Sequence, residues 1–138
     1  KAVKTLNPYA QIGVDYLGET GGRITDLEAR EKITKQVMLE KSMQLTVQRV
    51  MAEAKSGRAP GATTSIFKLV GSTIAKEASA LKSELRGLAG VGWEGEGFNQ
   101  EELDATRGWL RDRAVTIYGG TNEVQMNIIA KRVLGLPD

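Results

Sequence analysis

The chain has 138 residues, of which 41% are apolar and 26% are charged, a composition typical of a globular domain with a hydrophobic core. It contains no histidine and no cysteine. That excludes Ser-His-Asp and Cys-His catalytic sites, zinc fingers, disulfide frameworks and iron–sulfur clusters. The 19 basic and 17 acidic residues nearly balance, which argues against a broad nucleic-acid-binding surface.

The sequence carries no targeting or membrane signal that we recognise. No stretch approaches the roughly 20 apolar residues of a membrane span, and no apolar signal-peptide segment follows the first residues. We therefore expect a cytoplasmic chain without a nucleic-acid, membrane or metal partner. Because it opens at Lys1 rather than at a methionine, we also expect a piece of a longer protein.

The first half of the sequence predicts two helices and no strand. Pro8 suits a helix start, and the glycines after Leu17 end the element that follows it. Thr25 or Asp26 is a plausible N-cap for a long helix that runs to about Lys55.

A turn cluster at Ser56–Gly61 separates this long helix from a second one, predicted over Thr63–Leu88. Apolar residues recur along the second helix at steps of three or four, which predicts one buried face. That stripe comprises Ile66, Val70, Ile74, Ala78, Leu81, Leu85 and Leu88.

A Gly-rich loop follows, and Asn99-x-x-Glu102 then reads as a capping box that opens a shorter helix. Gly119-Gly120 breaks that helix, and Thr121 or Asn122 caps a last helix over Glu123–Leu134. The buried positions predicted for the shorter helix are Leu103, Leu110, Ala114 and Ile117.

Long amphipathic helices joined by short loops favour an all-α fold, an up-down antiparallel four-helix bundle with a short extra C-terminal helix. We find no internal repeat or linker, so residues 1–138 are expected to form one domain.

Gly90–Gly95 matches the G-x-G-x-x-G pattern. We reject a dinucleotide-binding fold, because that motif requires a strand before it and a βαβ unit around it.

The segment Tyr118–Glu123 is the strongest candidate site that the residues themselves indicate. Two glycines lie between an apolar helix end and a capped helix start. Glycine permits positive φ and close backbone approach, and a helix N-terminus favours an anion. An ordinary helix–Gly–helix corner remains the alternative.

The 27 residues Arg111–Pro137, which include Ile-Tyr-Gly-Gly-Thr-Asn-Glu-Val-Gln, closely resemble the C-terminal end of acyl-CoA dehydrogenases. The upstream order of helices and Gly-rich loop is also similar to that family's C-terminal helical domain. The resemblance implies an FAD-dependent oxidoreductase acting on an acyl-CoA thioester, with electron-transfer flavoprotein as electron acceptor. It further implies a homo-oligomer, a dimer or a tetramer, in whose core this domain lies.

The resemblance implies cofactor contacts at four positions. Thr121 and Glu123 match positions that contact FAD from the start of the last helix. The loop Leu88–Gly92, with Gly90 and Gly92, matches a Gly-rich loop that approaches the FAD pyrophosphate from a neighbouring subunit. The family's usual amide side chain ahead of that loop is not evident in this sequence.

Tyr118 and Gly120 match positions that line the acyl thioester end of the substrate pocket. Many members carry the catalytic base, a glutamate, where this chain has Gly119. Members with the Gly-Gly form place the base on an earlier helix, which by length would lie at or before Lys1. We therefore assign no catalytic residue in this chain, and three acidic residues are not given the role: Glu19, Asp26 and Glu28.

A second departure concerns the cofactor phosphates. The R-x-Q-F-G segment that many members use to hold them is not found, and Gly18–Arg23 stands near its place. Our prediction is the C-terminal domain of an acyl-CoA dehydrogenase, inactive as an isolated piece. The alternatives are a non-catalytic scaffold subunit of a heteromeric complex and a plain helical interaction module whose resemblance is accidental.

Overall fold

The computed structural model describes residues 7–57 and 63–137, without the side chains of residues 63 and 64. Lys1 and most of the predicted turn cluster Ser56–Gly61 lie outside the described residues. Five α-helices and one very small sheet occur in the described part, which confirms the all-α class. Within that part, none of the helices combines the length and apolar character needed to cross a lipid bilayer.

Helix α1 spans Pro8–Leu17, where the sequence predicts it. Asn7 caps it, because its side-chain oxygen accepts the backbone N–H of Ala10 at 2.8 Å. Proline at the first helical position lacks only an N–H that would have no partner there. Gly18, at φ 76°, ends the helix.

A hairpin follows α1, so the prediction of no strand was wrong. Strand β1 (Glu19–Thr20) pairs antiparallel with β2 (Arg23–Ile24). Gly21 and Gly22 have φ angles of 60° and 75°, and two consecutive positive φ angles form the turn that closes a two-residue hairpin. The glycines therefore reverse the chain as well as ending α1.

Helix α2 spans Leu27–Lys55, as predicted, and Asp26 is its cap because its Oδ1 accepts the N–H of Ala29 at 2.9 Å. Helix α3 spans Thr63–Glu84 and ends four residues before the predicted end. A 3-10 turn at Gly87–Val91 follows, in which Leu88 is 88% exposed. The assignment of Leu88 to the buried stripe was therefore wrong, as was that of Val70, which is 38% exposed.

Helix α4 spans Gln100–Arg111, and the predicted capping box is confirmed. The N–H of Glu102 donates to Asn99 Oδ1 at 3.0 Å, and the N–H of Asn99 donates to Glu102 Oε2 at 2.8 Å. The predicted buried face of this segment was largely wrong. A 3-10 turn at Asp112–Thr116 has three residues per turn instead of 3.6, which moves Ala114 and Ile117 off the predicted face, whereas Leu110 lies before that turn, inside α4. Leu110, Ala114 and Ile117 are exposed, whereas Glu102 and Thr106 are buried.

Helix α5 spans Asn122–Arg132 and is capped by Thr121.

The chain divides into two compact units. The first unit comprises the described residues up to Val37 together with Glu77–Arg111, and the second comprises Met38–Lys76 and the residues from Asp112 onward. Helices α2 and α3 each contribute to both units.

The two units differ in how many apolar side chains they bury. The first unit contains the hydrophobic core cluster, formed by Tyr9, Ile24, Ala29, Ile33, Leu81 and Leu85. In the described residues of the second unit, Val50 is the one buried apolar side chain. Many large apolar side chains of that unit are exposed, among them Met38, Leu45, Met51, Met126 and Leu134.

A buried carboxylate links α1 to α4 in the first unit. Glu102 accepts the Tyr16 hydroxyl at 2.8 Å in addition to the Asn99 N–H, and Arg86 lies over the Tyr16 ring at 5.5 Å. The Asn99 N–H, the Tyr16 hydroxyl and the Arg86 charge hold the pKa of Glu102 below its usual range, although burial acts in the opposite direction. The folded state thus stabilises the charged form.

This lowered pKa predicts a specific loss of stability in acid. Because the folded pKa lies below the unfolded one, the contribution is complete above about pH 4.5 and is lost as the pH falls through the folded pKa. We expect the free energy of unfolding of the natural chain to fall more steeply below pH 4.5 than that of Glu102→Gln. Urea unfolding at a series of pH values measures both slopes.

Glutamine can fill the same place in a capping box, so Glu102→Gln removes the titration and keeps the cap. Glu101→Gln, at the exposed neighbouring position, is the control for the change in net charge. Parallel curves for the natural chain and Glu102→Gln across the acid range would show that the carboxylate contributes no pH dependence.

Candidate functional site

The glycine corner, Tyr118–Thr121, lies in the second unit between the 3-10 turn at Asp112–Thr116 and α5. Gly119 and Gly120 have φ angles of 67° and 92°, in the left-handed region that favours glycine. A Cβ on Gly120 would stand 2.7 Å from Gln125 Nε2. The backbone conformation therefore favours glycine at position 120, and a side chain there would also displace the amide end of Gln125.

Position 119 is different, because it is open. Within 4 Å, a Cβ on Gly119 would meet only the Cε of Lys68, at 3.6 Å, in the described part of the chain. Gly119 is exposed, and neighbouring Tyr118 is 62% exposed. The corner therefore presents a bare stretch of backbone with an aromatic side chain at its edge.

The corner also presents backbone donors. In the described residues, neither Gly119 nor Gly120 donates its N–H in a well-formed hydrogen bond, although the N–H of Gly120 closes a loose turn over Tyr118 and Gly119. The preceding N–H groups of Ile117 and Tyr118 both donate to Ala114 O. A carbonyl or anionic oxygen placed over the corner could accept from both glycines. Helix α5 begins directly after them, and its N-terminal partial positive charge favours the same kind of ligand atom.

Thr121 and Glu123 form the start of α5. Thr121 Oγ1 accepts the N–H of Val124 at 3.3 Å, which confirms Thr121 as the predicted cap. The backbone N–H of Glu123 and the Thr121 hydroxyl hold the pKa of the exposed Glu123 carboxyl below its usual range. Glu123 is therefore a charged hydrogen-bond acceptor and a weak proton acceptor.

Three side chains of α3 and α5 that the sequence analysis did not identify contact the corner or the residues on either side of it. Lys68 Nζ donates to the carbonyl of Val115 at 2.9 Å, and Ser72 Oγ lies 3.1 Å from Asn122 Oδ1. Gln125 Nε2 donates to the carbonyl of Gly119 at 3.4 Å. The only local signal was the appearance of Lys68 and Ser72 one turn apart on a helix read for its apolar face.

Gly90 and Gly92 belong to the first unit, so they are not in the same unit as the corner. A Cβ on Gly90 would stand 2.0 Å from the carbonyl oxygen of Ser83, and one on Gly92 would stand 2.4 Å from the Phe98 ring. The Gly90 carbonyl accepts the hydroxyls of Ser83 and Thr106. Close packing within the unit accounts for both glycines.

The G-x-G-x-x-G match does not lie in a dinucleotide-binding fold. Helix α3 precedes Gly90–Gly95 and α4 follows it, and the one sheet in the described residues is the antiparallel β1–β2 pair. The motif's requirement for a preceding parallel strand is therefore not met in that part of the chain, as the sequence analysis predicted.

Comparison with known proteins identifies the family. The family described as "Acyl-CoA dehydrogenase, C-terminal domain" matches residues 20–134. Acyl-CoA dehydrogenase IpdE1 of Mycolicibacterium smegmatis is 42% identical over 72 residues, which are 52% of this chain and 17% of that protein. Acyl-CoA dehydrogenase FadE34 of Mycobacterium tuberculosis is 29% identical over 112 residues, which are 81% of this chain and 14% of that protein.

A third relative has a higher identity over a shorter length. Acyl-CoA dehydrogenase IpdE1 of Mycobacterium tuberculosis is 72% identical over 29 residues, 21% of this chain and 8% of that protein. The matches span less than a fifth of each relative's length. The family match, by contrast, covers most of this chain, and the chain therefore belongs to the acyl-CoA dehydrogenase family, whose C-terminal domain it represents.

Proposed function

We propose that this chain is the C-terminal domain of an FAD-dependent enzyme that introduces an α,β double bond into an acyl-CoA thioester. The observation that carries the proposal is the glycine corner, whose two N–H groups make no well-formed hydrogen bond within the described part of the chain and which carries no side chain of its own at positions 119 and 120. A thioester carbonyl fits there, because a donor pair at a helix N-terminus stabilises negative charge on that oxygen when the α-proton leaves. Tyr118 and Gly120 line this end of the substrate.

FAD fits the residues that begin α5. A flat cofactor can approach Gly119 closely because a Cβ is missing there, and Thr121 and Glu123 offer oxygen atoms to its polar edge. When bound, the flavin supplies the oxidising capacity that allows hydride to leave the β-carbon as the α-proton leaves, giving a 2-enoyl-CoA. Gly90 and Gly92 would contact the pyrophosphate of a cofactor bound to a second copy.

The proton acceptor in this proposal comes from another part of the full protein. Gly119 has no side chain, and Glu123 is held in its charged form with a lowered pKa. Lys68, the side chain closest to the missing Cβ of Gly119, is a cation. The corner thus binds and orients the thioester, and an isolated chain of these 138 residues is expected to be inactive.

The exposed apolar side chains of the second unit support association of copies into a dimer or tetramer. Residues on α2 and α5 contribute to this surface, including Met38, Leu45, Met51, Val124 and Met126. An apolar surface of this kind on a water-exposed unit gains free energy when a partner covers it. Electron-transfer flavoprotein is the proposed electron acceptor of the assembled enzyme.

The full-length protein that carries this chain tests the proposal directly. We expect it to purify yellow with a flavin absorption spectrum, to sediment as a dimer or tetramer, and to bleach when an acyl-CoA is added without oxygen. Dye reduction with a panel of acyl-CoA thioesters then measures turnover, and the 138-residue chain is the inactive control. Robust dye reduction by the 138-residue chain alone would contradict the proposal that the proton acceptor comes from another part of the full protein.

Gly119 also favours a second candidate, a scaffold subunit that is silent by itself. Such a subunit would keep the apolar surface of the second unit and pair with an active partner of the same family. Full-length protein that associates but neither retains flavin nor bleaches with any acyl-CoA would support the scaffold. Recovery of turnover after adding a related subunit would then identify the heteromeric complex.

A further inference from the structure

We propose that Lys68, Ser72 and Gln125 are positioning residues that hold the glycine corner with its N–H groups facing the ligand. The inference rests on the proposed function for the identity of the ligand, but the contacts that carry it lie within the second unit. Two adjacent glycines have more conformational freedom than any other pair. Preorganised donors require that this freedom be removed before the ligand arrives.

Lys68 contacts the turn that precedes the corner. Its Nζ donates to the carbonyl of Val115 at 2.9 Å, which ties α3 to the turn that leads into the corner. Its Cε also lies 3.6 Å from the position of a Cβ on Gly119. The side chain therefore both anchors the approach to Gly119 and fills the space beside it.

Ser72 contacts the residue that follows the corner. It is buried, at 8% exposure, and its Oγ lies 3.1 Å from Leu69 O and 3.1 Å from Asn122 Oδ1. Asn122 is the first residue of α5. Since Lys68 and Ser72 are four residues apart, they lie on one face of α3, and that face reaches the chain before and after the two glycines.

Gln125 completes the arrangement from α5. It is 7% exposed, and its Nε2 donates to the carbonyl of Gly119 at 3.4 Å. The same atom occupies the space that a Cβ on Gly120 would need. Gln125 therefore holds the Gly119 carbonyl, and its bond does not use the N–H groups of the corner.

Amide hydrogen exchange in the full-length protein tests the positioning without relying on turnover. Ser72→Ala is expected to accelerate exchange about tenfold at Val124 and Gln125, whose N–H groups bond to Thr121. Ser42→Ala is the matched control, because within the described residues Ser42 Oγ makes only the same kind of local bond, to Met38 O. Exchange at Val124 and Gln125 within twofold of the natural protein would overturn the proposal.

Lys68→Met provides an independent variant should Ser72→Ala fold poorly. Methionine keeps the aliphatic packing and removes the bond to Val115, so exchange at Ile117 and Tyr118 is expected to rise about tenfold. Lys41→Met, at an exposed lysine that contacts Gln44, is its control. No change at Ile117 and Tyr118 would remove Lys68 from the set of positioning residues.

Turnover separates positioning from simple structural support. We expect Ser72→Ala to lower kcat roughly tenfold with smaller effects on KM and flavin content, and Ser72→Thr, which retains the hydroxyl, to recover most of it. Faster exchange with unchanged kcat would overturn a role in catalysis. If the natural full-length protein does not act on acyl-CoA, the proposed function fails, and the exchange measurement alone decides the positioning.

Discussion

Replacement of Leu85 by alanine is expected to lower the free energy of unfolding of the 138-residue chain by about 2–5 kcal/mol. Leu85 is 2% exposed and belongs to the core cluster of the first unit, where it joins Tyr9, Ile33 and Leu81. The substitution removes buried methyl groups and leaves a cavity that α2 and α3 can only partly close. The loss should be large because that cluster is the main apolar core in the described residues.

Urea unfolding followed by tryptophan fluorescence measures this loss, since Trp93 and Trp109 both belong to the first unit. Leu88→Ala is the matched control. It makes the same chemical change three residues later, at a side chain that is 88% exposed, and is expected to alter stability by no more than about 0.5 kcal/mol. Equal losses for the two variants would mean that the apolar stripe of α3 continues through Leu88.

The contrast between Leu85 and Leu88 shows what periodicity can predict. Steps of three and four correctly predict that α3 buries Leu81 and Leu85, because these positions lie on one side of any α-helix. The same steps cannot show that the helix stops at Glu84. That depends on Gly87, which takes φ 55°, and on the packing of the following turn against α3.

Local signals predicted most of the candidate site. Asn99 with Glu102, and Thr121 with Val124, are caps whose partners lie three residues away, so the sequence contains both members. The glycine corner was also predicted from neighbouring residues, because Gly119, Gly120 and the cap Thr121 are consecutive in the sequence. Lys68 and Ser72 were missed because their partners, Val115 and Asn122, lie about fifty residues away, and only the packed chain brings them together.

In the Gly-rich loop, the glycines have more than one possible physical reason, and the sequence alone does not distinguish between them. The resemblance assigns Gly90 and Gly92 to a cofactor. The structure supplies a packing reason that operates without any ligand, since both positions are buried and a Cβ on either would meet atoms of the first unit. A stability measurement on the chain without cofactor isolates that packing role.

Gly90→Ala is accordingly expected to destabilise the 138-residue chain by about 2–4 kcal/mol, the sum of overpacking and of weakened hydrogen bonds. The new Cβ would stand 2.0 Å from the Ser83 carbonyl oxygen and 2.8 Å from its carbonyl carbon. These are backbone atoms of the segment that ends α3, so no side-chain rotation relieves the clash. The loop must move away, which breaks the bond from Thr106 Oγ1 to the Gly90 carbonyl, now 2.9 Å long.

Two further glycines make the test specific. Gly97→Ala lies in the same loop with no neighbouring atom within 4 Å of its Cβ position in the described part of the chain, and it should change stability by less than about 0.5 kcal/mol. Gly108→Ala, inside α4 and equally open, should raise stability by about 0.5–1 kcal/mol because alanine is the better helix former. If Gly90→Ala behaves like Gly97→Ala in urea unfolding, the loop does not pack against α3, and contact with a cofactor becomes the better reason for a glycine at position 90.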